Sequence, residues 1–177
     1  MDIFEAIRGR RSIRRYETTP VSREQIEEVL EAARLAPSWK NLQCWSFLVL
    51  TEEEKRLQVQ QALHPDNPGR KALDHAPVVI LVLADPALSG VEEGKEYYLA
   101  DAAMAFEHLC LAAHAKGLGT CWIGWFDEDR LKEHFAIPQH LRIIGLTPLG
   151  VPAQSPSPRP RKELHQITHF DAWRQQP

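Results

Sequence analysis

The sequence predicts one α/β or α+β domain, and three observations point there. Segments of strand composition alternate with segments of helical periodicity, the order that builds a sheet covered by helices. Val78 to Ala84 is apolar without a break, as in strands covered on both faces. Tyr98 to Lys116 is long and rich in Ala and Leu, with Gly117 placed as a left-handed C′ residue, so it reads as a central helix.

Each element has its own signal. Asp2 to Arg8 predicts a short helix that buries Ile3, Phe4 and Ile7. Ser22-Arg23-Glu24-Gln25 is a capping box; it opens a helix whose Ile26, Val29, Leu30 and Ala33 share one face and which Pro37 ends. Trp45 to Leu50 has strand composition. Thr51-Glu52-Glu53-Glu54 reads as a second capping box, starting a helix to about Leu63, and His64 to Gly69 is turn-rich. After Gly117, Thr120 to Trp125 predicts a strand, Asp127 caps a short helix through Phe135, and Arg142 to Leu149 predicts another strand. From Gly150 the prolines 152, 156, 158 and 160 predict an extended arm over residues 150–177, attached to a single domain spanning 1–177.

Composition narrows the function. The chain has 177 residues, of which 44% are hydrophobic and 25% charged, enough for a substantial core. The longest nearly unbroken apolar run, Ala76 to Ala84, is far shorter than a membrane span, and no basic segment followed by an apolar one opens the chain. Cys44, Cys110 and Cys121 are odd in number and widely spaced, so they read as reduced thiols in a cytoplasmic protein rather than a disulfide framework or zinc site. A net charge of −3 argues against a general nucleic-acid binder.

Charge is nevertheless concentrated. RGRRSIRR, residues 8–15, holds five arginines and no acid, and Arg159, Arg161 and Lys162 form a second basic group. Guanidinium forks match phosphate oxygens bidentately, and a serine hydroxyl adds a neutral donor. In extended backbone Arg10, Ser12 and Arg14 point to one side, Arg11 and Arg15 to the other. A solvated basic loop is the plainer alternative.

Residues 36–45, APSWKNLQCW, place Ser38, Asn41 and Gln43 among Trp39, Leu42 and Trp45. Amides both donate and accept, which suits the uracil-like edge of a flavin or a base; a helix-to-strand loop satisfying its own backbone explains the same residues. GLGTCWIG, residues 117–124, is glycine-rich but follows a helix and precedes a strand, the reverse of a dinucleotide-binding turn. Its glycines leave room for a planar ring against the backbone. No acyl-transfer nucleophile and no metal cluster stands out.

Taken in order, these segments resemble the FMN-dependent nitroreductase family. The family's R-R-S-x-R stands as Arg10-Arg11-Ser12-Ile13-Arg14, and its A-P-S-x-x-N-x-Q-P-W as Ala36 to Trp45, with Cys44 in place of the proline. L-A-A-x-x-x-G-L-G-T-x-W-I-G is Leu111 to Gly124, and G-x-P with a following basic group is Gly150 to Pro152 and then Arg159 and Arg161. The resemblance implies an α+β three-layer α/β/α sandwich, its mixed central sheet flanked by helices and its C-terminal arm exchanged in a homodimer. It implies bound FMN, with Arg10, Ser12 and Arg14 holding the phosphate, ribityl chain and pyrimidine edge and Arg11 contributing main chain. Pro37, Ser38, Asn41 and Gln43 then line the flavin, the last two from the partner subunit. Trp122, Ile123 and Gly124 pack beside the ring, and Arg159 and Arg161 complete the phosphate site.

The implied activity is transfer of reducing equivalents from NAD(P)H to a nitroaromatic, quinone or related acceptor by a ping-pong mechanism. No metal, nucleic acid or membrane takes part, and no protein side chain acts as the redox catalyst. A non-turnover flavin carrier or sensor, or a relative that consumes reduced flavin, shares the same motifs. The chain is short for the family between Ala84 and the central helix, so the excursion there is expected to be small.

Overall fold

A computed structural model of the chain describes residues 1–173. The apolar run Val78–Ala84 becomes an inner strand, flanked on both sides. In chain order the elements are α1 (Ile3–Gly9), α2 (Arg23–Arg34), β1 (Trp45–Leu50), α3 (Glu53–Ala62), β2 (Val78–Ala84), β3 (Val91–Glu92), β4 (Lys95–Glu96), α4 (Tyr97–Ala115), β5 (Gly119–Thr120), α5 (Glu128–Phe135) and β6 (Arg142–Gly150). The main sheet runs β1-β2-β6-β5 with antiparallel ladders throughout. Its parallel component is one bridge, Ser12 with Thr120, beyond β5.

Alternation along β2 divides the core. Val78, Ile80, Val82 and Ala84 face α2 and α4, meeting Val29, Ala33, Phe106 and Leu109. Val79, Leu81 and Leu83 face the opposite way into Leu50, Val59, Leu63, Leu131 and Leu146, the layer under α3 and α5. Helices on both faces of the sheet give the expected α+β three-layer sandwich. Each such side chain contributes roughly 1.5–3 kcal/mol on burial, so an unbroken apolar strand is stable only where both faces are covered.

The central helix follows from spacing. Tyr98, Ala102, Ala105, Phe106, Leu109 and Ala113 recur every three or four residues and are buried, and the small alanines let α4 lie close to the sheet. Gly117 takes φ +76°, the left-handed value expected just past the helix end. The Ser22 box forms with both of its hydrogen bonds, and Asp127 caps α5 by accepting from the Arg130 N–H. Between β2 and α4 lie a single turn, Pro86–Leu88, and the β3–β4 hairpin, whose Glu93 (φ 50°) and Gly94 (φ 76°) make the tight turn. The excursion is small, as expected.

Three local expectations are corrected. The Thr51 box does not form: Glu52 is the N-cap of α3 and makes no side-chain cap bond. Thr51 instead has its carbonyl taken by the Arg56 guanidinium. The strand expected over Thr120 to Trp125 stops at Thr120, because only Ile123 keeps a bridge, to Leu146; the remainder is loop. Ile3, Phe4 and Ile7 lie on α1 as expected but are 57%, 63% and 53% exposed, and Ala6 is the residue that α1 buries.

From Val151 to Trp173 the chain forms one short turn, Leu164–Gln166, and otherwise follows no regular element. The last part of the expected arm, 174–177, lies outside the described residues. Among the described residues no helix is long and apolar enough to cross a membrane.

Candidate functional site

α1 ends at Gly9, and Arg10 leaves it in extended geometry, φ −58° and ψ 132°. The segment that follows is bonded on two sides. The Ile13 N–H donates to the Thr120 carbonyl at 2.8 Å, on the edge of β5. Ala153 N–H donates to the Arg15 carbonyl (3.0 Å) and Glu17 N–H to the Val151 carbonyl (2.9 Å), so the chain after β6 returns alongside it. Ile13 and Tyr16 are buried, and the Tyr16 hydroxyl donates to the Ile13 carbonyl at 2.7 Å. With these residues turned inward, the arginines between them are left at the surface.

They line one cleft of about 540 Å³. Arg10, Ser12 and Arg14 meet Arg159 and Arg161 there, drawn from opposite ends of the sequence. Arg11 lines the cleft too, although alternation puts it on the other side: its guanidinium folds back to donate to the Arg10 carbonyl at 2.9 Å. Arg15 is exposed outside the cleft. Glu107 lies 3.6 Å from Arg10 and is half-exposed, so it offsets little of the charge of the six arginines in the lining. The Arg14 Nε is buried and has no hydrogen-bond partner. Behind the cleft sits Cys121. Its thiol is pushed up by burial, against the opposing pull of Arg14 and a hydrogen bond from Ser12.

Three polar lining residues carried no prediction. Arg8 belongs to the same basic run and could have been read there. Gln154 and Ser157 have no local signal; they arrive because the segment after β6 doubles back along Arg15 and Glu17.

Residues 36–45 form a separate constellation in this chain. The single turn Trp39–Asn41 is irregular: Lys40 and Asn41 within it, and Gln43 just after it, all take positive φ (46°, 58° and 52°). Such backbone costs roughly 1–3 kcal/mol per residue and persists only where surroundings hold it. Ser38 Oγ accepts from the Gln43 N–H at 2.9 Å, and the Gln43 amide donates to the Asn41 carbonyl at 3.0 Å. Asn41, Gln43 and Pro37 are exposed, and Gln43 lines a groove with Trp45 and Phe47 rather than the arginine cleft. Cys44 is buried; burial, and then the charge of Asp101, push its thiol up to about 11, so it stays protonated at neutral pH.

The third constellation is divided by the sheet edge. Trp122 is 43% exposed and stacks on Phe106 at 3.9 Å, over Gly145, where a Cβ would press on both rings. Ile123 is buried in the layer under α3 and α5, and its N–H and C=O are both spent on Leu146 at 2.9 Å. Gly124 is exposed. Thus the arginines and Ser12 converge, while Pro37 to Gln43 and Trp122 to Gly124 stand apart from them within one chain. Among the described residues no group of His, Cys, Asp or Glu is arranged to hold a metal ion.

Fold and site together define a three-layer α+β domain with an arginine-lined cleft at its sheet edge. A model of the nitroreductase family matches residues 7–71 and 55–151, and the chain belongs to that family. A protein of Methanothermobacter thermautotrophicus, whose provisional name joins NADH dehydrogenase to NAD(P)H nitroreductase, is 34% identical over 177 residues, covering 98% of this chain and 88% of its own length. A solved nitroreductase family protein from Clostridium novyi NT is 39% identical with a TM-score of 0.84, covering 90% of this chain and 89% of that one. The structure of an FMN-dependent nitroreductase from Clostridium difficile R20291 is similar at 27% identity and a TM-score of 0.83, over 96% and 99% of the two chains.

Proposed function

We propose that this protein is an NAD(P)H-dependent oxidoreductase that works through FMN held at the arginine cleft. The observation that carries it is the meeting of Arg10, Ser12 and Arg14 with Arg159 and Arg161 in one cleft, with the Arg14 Nε buried and unpartnered. A buried donor without an acceptor costs about 1–3 kcal/mol, and an anionic ligand rich in acceptors removes that penalty. The residues present therefore fit a phosphorylated cofactor. The nitroreductase names of its relatives support the same activity.

When bound, FMN supplies the electron transfer between NAD(P)H and a small acceptor such as a nitroaromatic or quinone. The chain supplies binding and charge. Arg159, Arg161 and Arg10 neutralise the phosphate, Ser12 adds a neutral donor, and Arg14 places a positive charge against the part of the ligand that becomes anionic on reduction. NAD(P)H and the acceptor use the same exposed face in turn, which makes the kinetics ping-pong.

The working unit is a homodimer. Ile3, Phe4 and Ile7 on α1, and Leu164, Ile167, Phe170 and Trp173 on the C-terminal segment, expose more apolar surface than a lone domain carries. In such a dimer the segment 150–173 acts as an arm over the second copy. Asn41 and Gln43 of one copy then reach the cleft of the other.

The test is the absorption spectrum of the purified protein, the flavin it releases on denaturation, and NAD(P)H oxidation with a quinone. A yellow protein that releases FMN and turns over steadily is expected. FAD, or no flavin even after FMN is added, overturns the cofactor; bound FMN without turnover overturns the enzyme.

A further inference from the structure

Asp101 is a carboxyl side chain near the start of α4, 2% exposed, with no cation among its hydrogen-bond partners. A buried carboxyl group needs donors, and this one finds three, all outside its own helix. Oδ1 accepts from the Trp39 N–H at 3.0 Å; Oδ2 accepts from the Ser89 hydroxyl at 2.8 Å and faces the Cys44 thiol at 3.8 Å. Two of the three donors belong to the 36–45 loop, and the third to the turn after β2.

The same loop is gripped from a second direction. The Trp39 indole lies so close to Gly90 that a Cβ there would fall 2.3 Å from it, and its ring meets Tyr97 at 4.6 Å. Gly90 in turn accepts from the Tyr97 N–H at 2.9 Å, at the first residue of α4. Trp39 is thus fixed by its backbone to Asp101 and by its ring to Gly90 and Tyr97. Immediately after this anchor come the three positive-φ residues Lys40, Asn41 and Gln43. Asparagine tolerates this region, but Lys40 and Gln43 do not, so the anchor holds a conformation that those two residue types resist.

We propose that Asp101 is a positioning residue: by holding Trp39, Cys44 and Ser89 from the core it sets the left-handed turn that presents Asn41 and Gln43 to FMN. The inference rests on the reading of that loop as flavin-lining. Cys44, which stands where the resembling family has proline, has a distinct part in it. Its thiol supplies a third donor to Asp101, which a proline ring cannot do.

The experiment uses the full-length protein with FMN saturating, comparing Asp101→Ala, Asp101→Asn and, as a control of similar destabilisation in the other core layer, Val59→Ala. Backbone amide hydrogen exchange is followed at residues 39–44, and the FMN dissociation constant is titrated for each. Losing the carboxyl acceptors should speed exchange at 39–44 and weaken FMN on the order of tenfold, while β2 keeps its protection. Asp101→Asn keeps an acceptor for Trp39 and should restore both to within about threefold of wild type. Val59→Ala should move neither. Should Asp101→Ala not fold, Ser89→Ala removes one donor and must move the same two readouts in the same direction.

Unchanged exchange at 39–44 overturns the proposal. So does faster exchange with wild-type FMN affinity, or an equal effect from Val59→Ala. If wild type itself binds no FMN, the flavin reading fails separately, and exchange at 39–44 alone decides whether Asp101 holds the loop.

Discussion

The Ile13 N–H donates to the Thr120 carbonyl at 2.8 Å, and that link fixes the arginine segment to the edge of the sheet. Gly119 makes it possible: a Cβ there would come within 2.8 Å of the Ile13 Cβ. With Ile13 turned into the core, its neighbours Ser12 and Arg14 are left to line the cleft. A sequence motif becomes a site because one backbone bond decides which side chains face out.

Arg14→Ala and Arg161→Ala are expected to fail differently. On the proposed FMN reading Arg161 binds phosphate, whose charge is the same in both redox states, so its loss weakens FMN while the rate at saturating FMN stays near wild type. On the same reading Arg14 acts more strongly on the reduced, anionic ligand; its loss should lower the flavin potential and slow reduction by NAD(P)H even with the site full. A charge-assisted contact of about 1.5–3 kcal/mol sets the scale. Potentials and stopped-flow reduction of the FMN-saturated variants check this, and a wild-type potential for Arg14→Ala contradicts it.

Phe4→Glu together with Ile7→Glu is expected to convert the protein to a monomer. Both side chains are more than half exposed on α1 and contribute little within one chain, so the monomer should stay folded. Burying two carboxylates in an apolar interface costs several kcal/mol each. Light scattering at micromolar concentration reads the mass, and a dimer of undiminished stability rules out α1 as part of the interface.

Glu128→Gln should destabilise more than Lys132→Met. Lys132 is 6% exposed, with its ammonium 3.1 Å from Glu128 and 3.3 Å from the Gln139 carbonyl. Removing the carboxylate strands a buried cation, a loss of about 3–5 kcal/mol. Lys132→Met removes that cation and leaves Glu128 paired with Arg142 at 3.0 Å, so the change is about 1.5 kcal/mol or less. Urea denaturation of both variants at neutral pH gives the comparison.

Stability should fall in acid partly through the same carboxylate. Burial pushes Glu128 up, but hydrogen bonds from Arg142, the Ile143 N–H and Lys132 together outweigh it and hold the group below its ordinary value of 4.5. A carboxyl depressed by folding stabilises above its unfolded pKa, and that contribution is lost as pH falls through the folded value. Melting temperature measured against pH should therefore drop below about pH 4.5, and less steeply for Glu128→Gln. Parallel acid limbs for the two proteins contradict this.

Local patterns determined the elements. Period-3.6 burial on α2 and α4, the Ser22 and Asp127 caps, Gly117 past the end of α4 and the apolar run of β2 each depend on residues within a turn or two, which is the range over which caps and periodicity act. The basic run at 8–15 and the order of the four motifs were equally legible. Only tertiary structure brought Arg159 and Arg161 beside Arg10, made Asp101 the anchor of a loop more than fifty residues away, and replaced the Thr51 cap with a guanidinium. It also left α1 with an unburied apolar face and ended β5 at Thr120. Those outcomes depend on which distant backbone groups and surfaces meet, and no local periodicity or propensity encodes that choice.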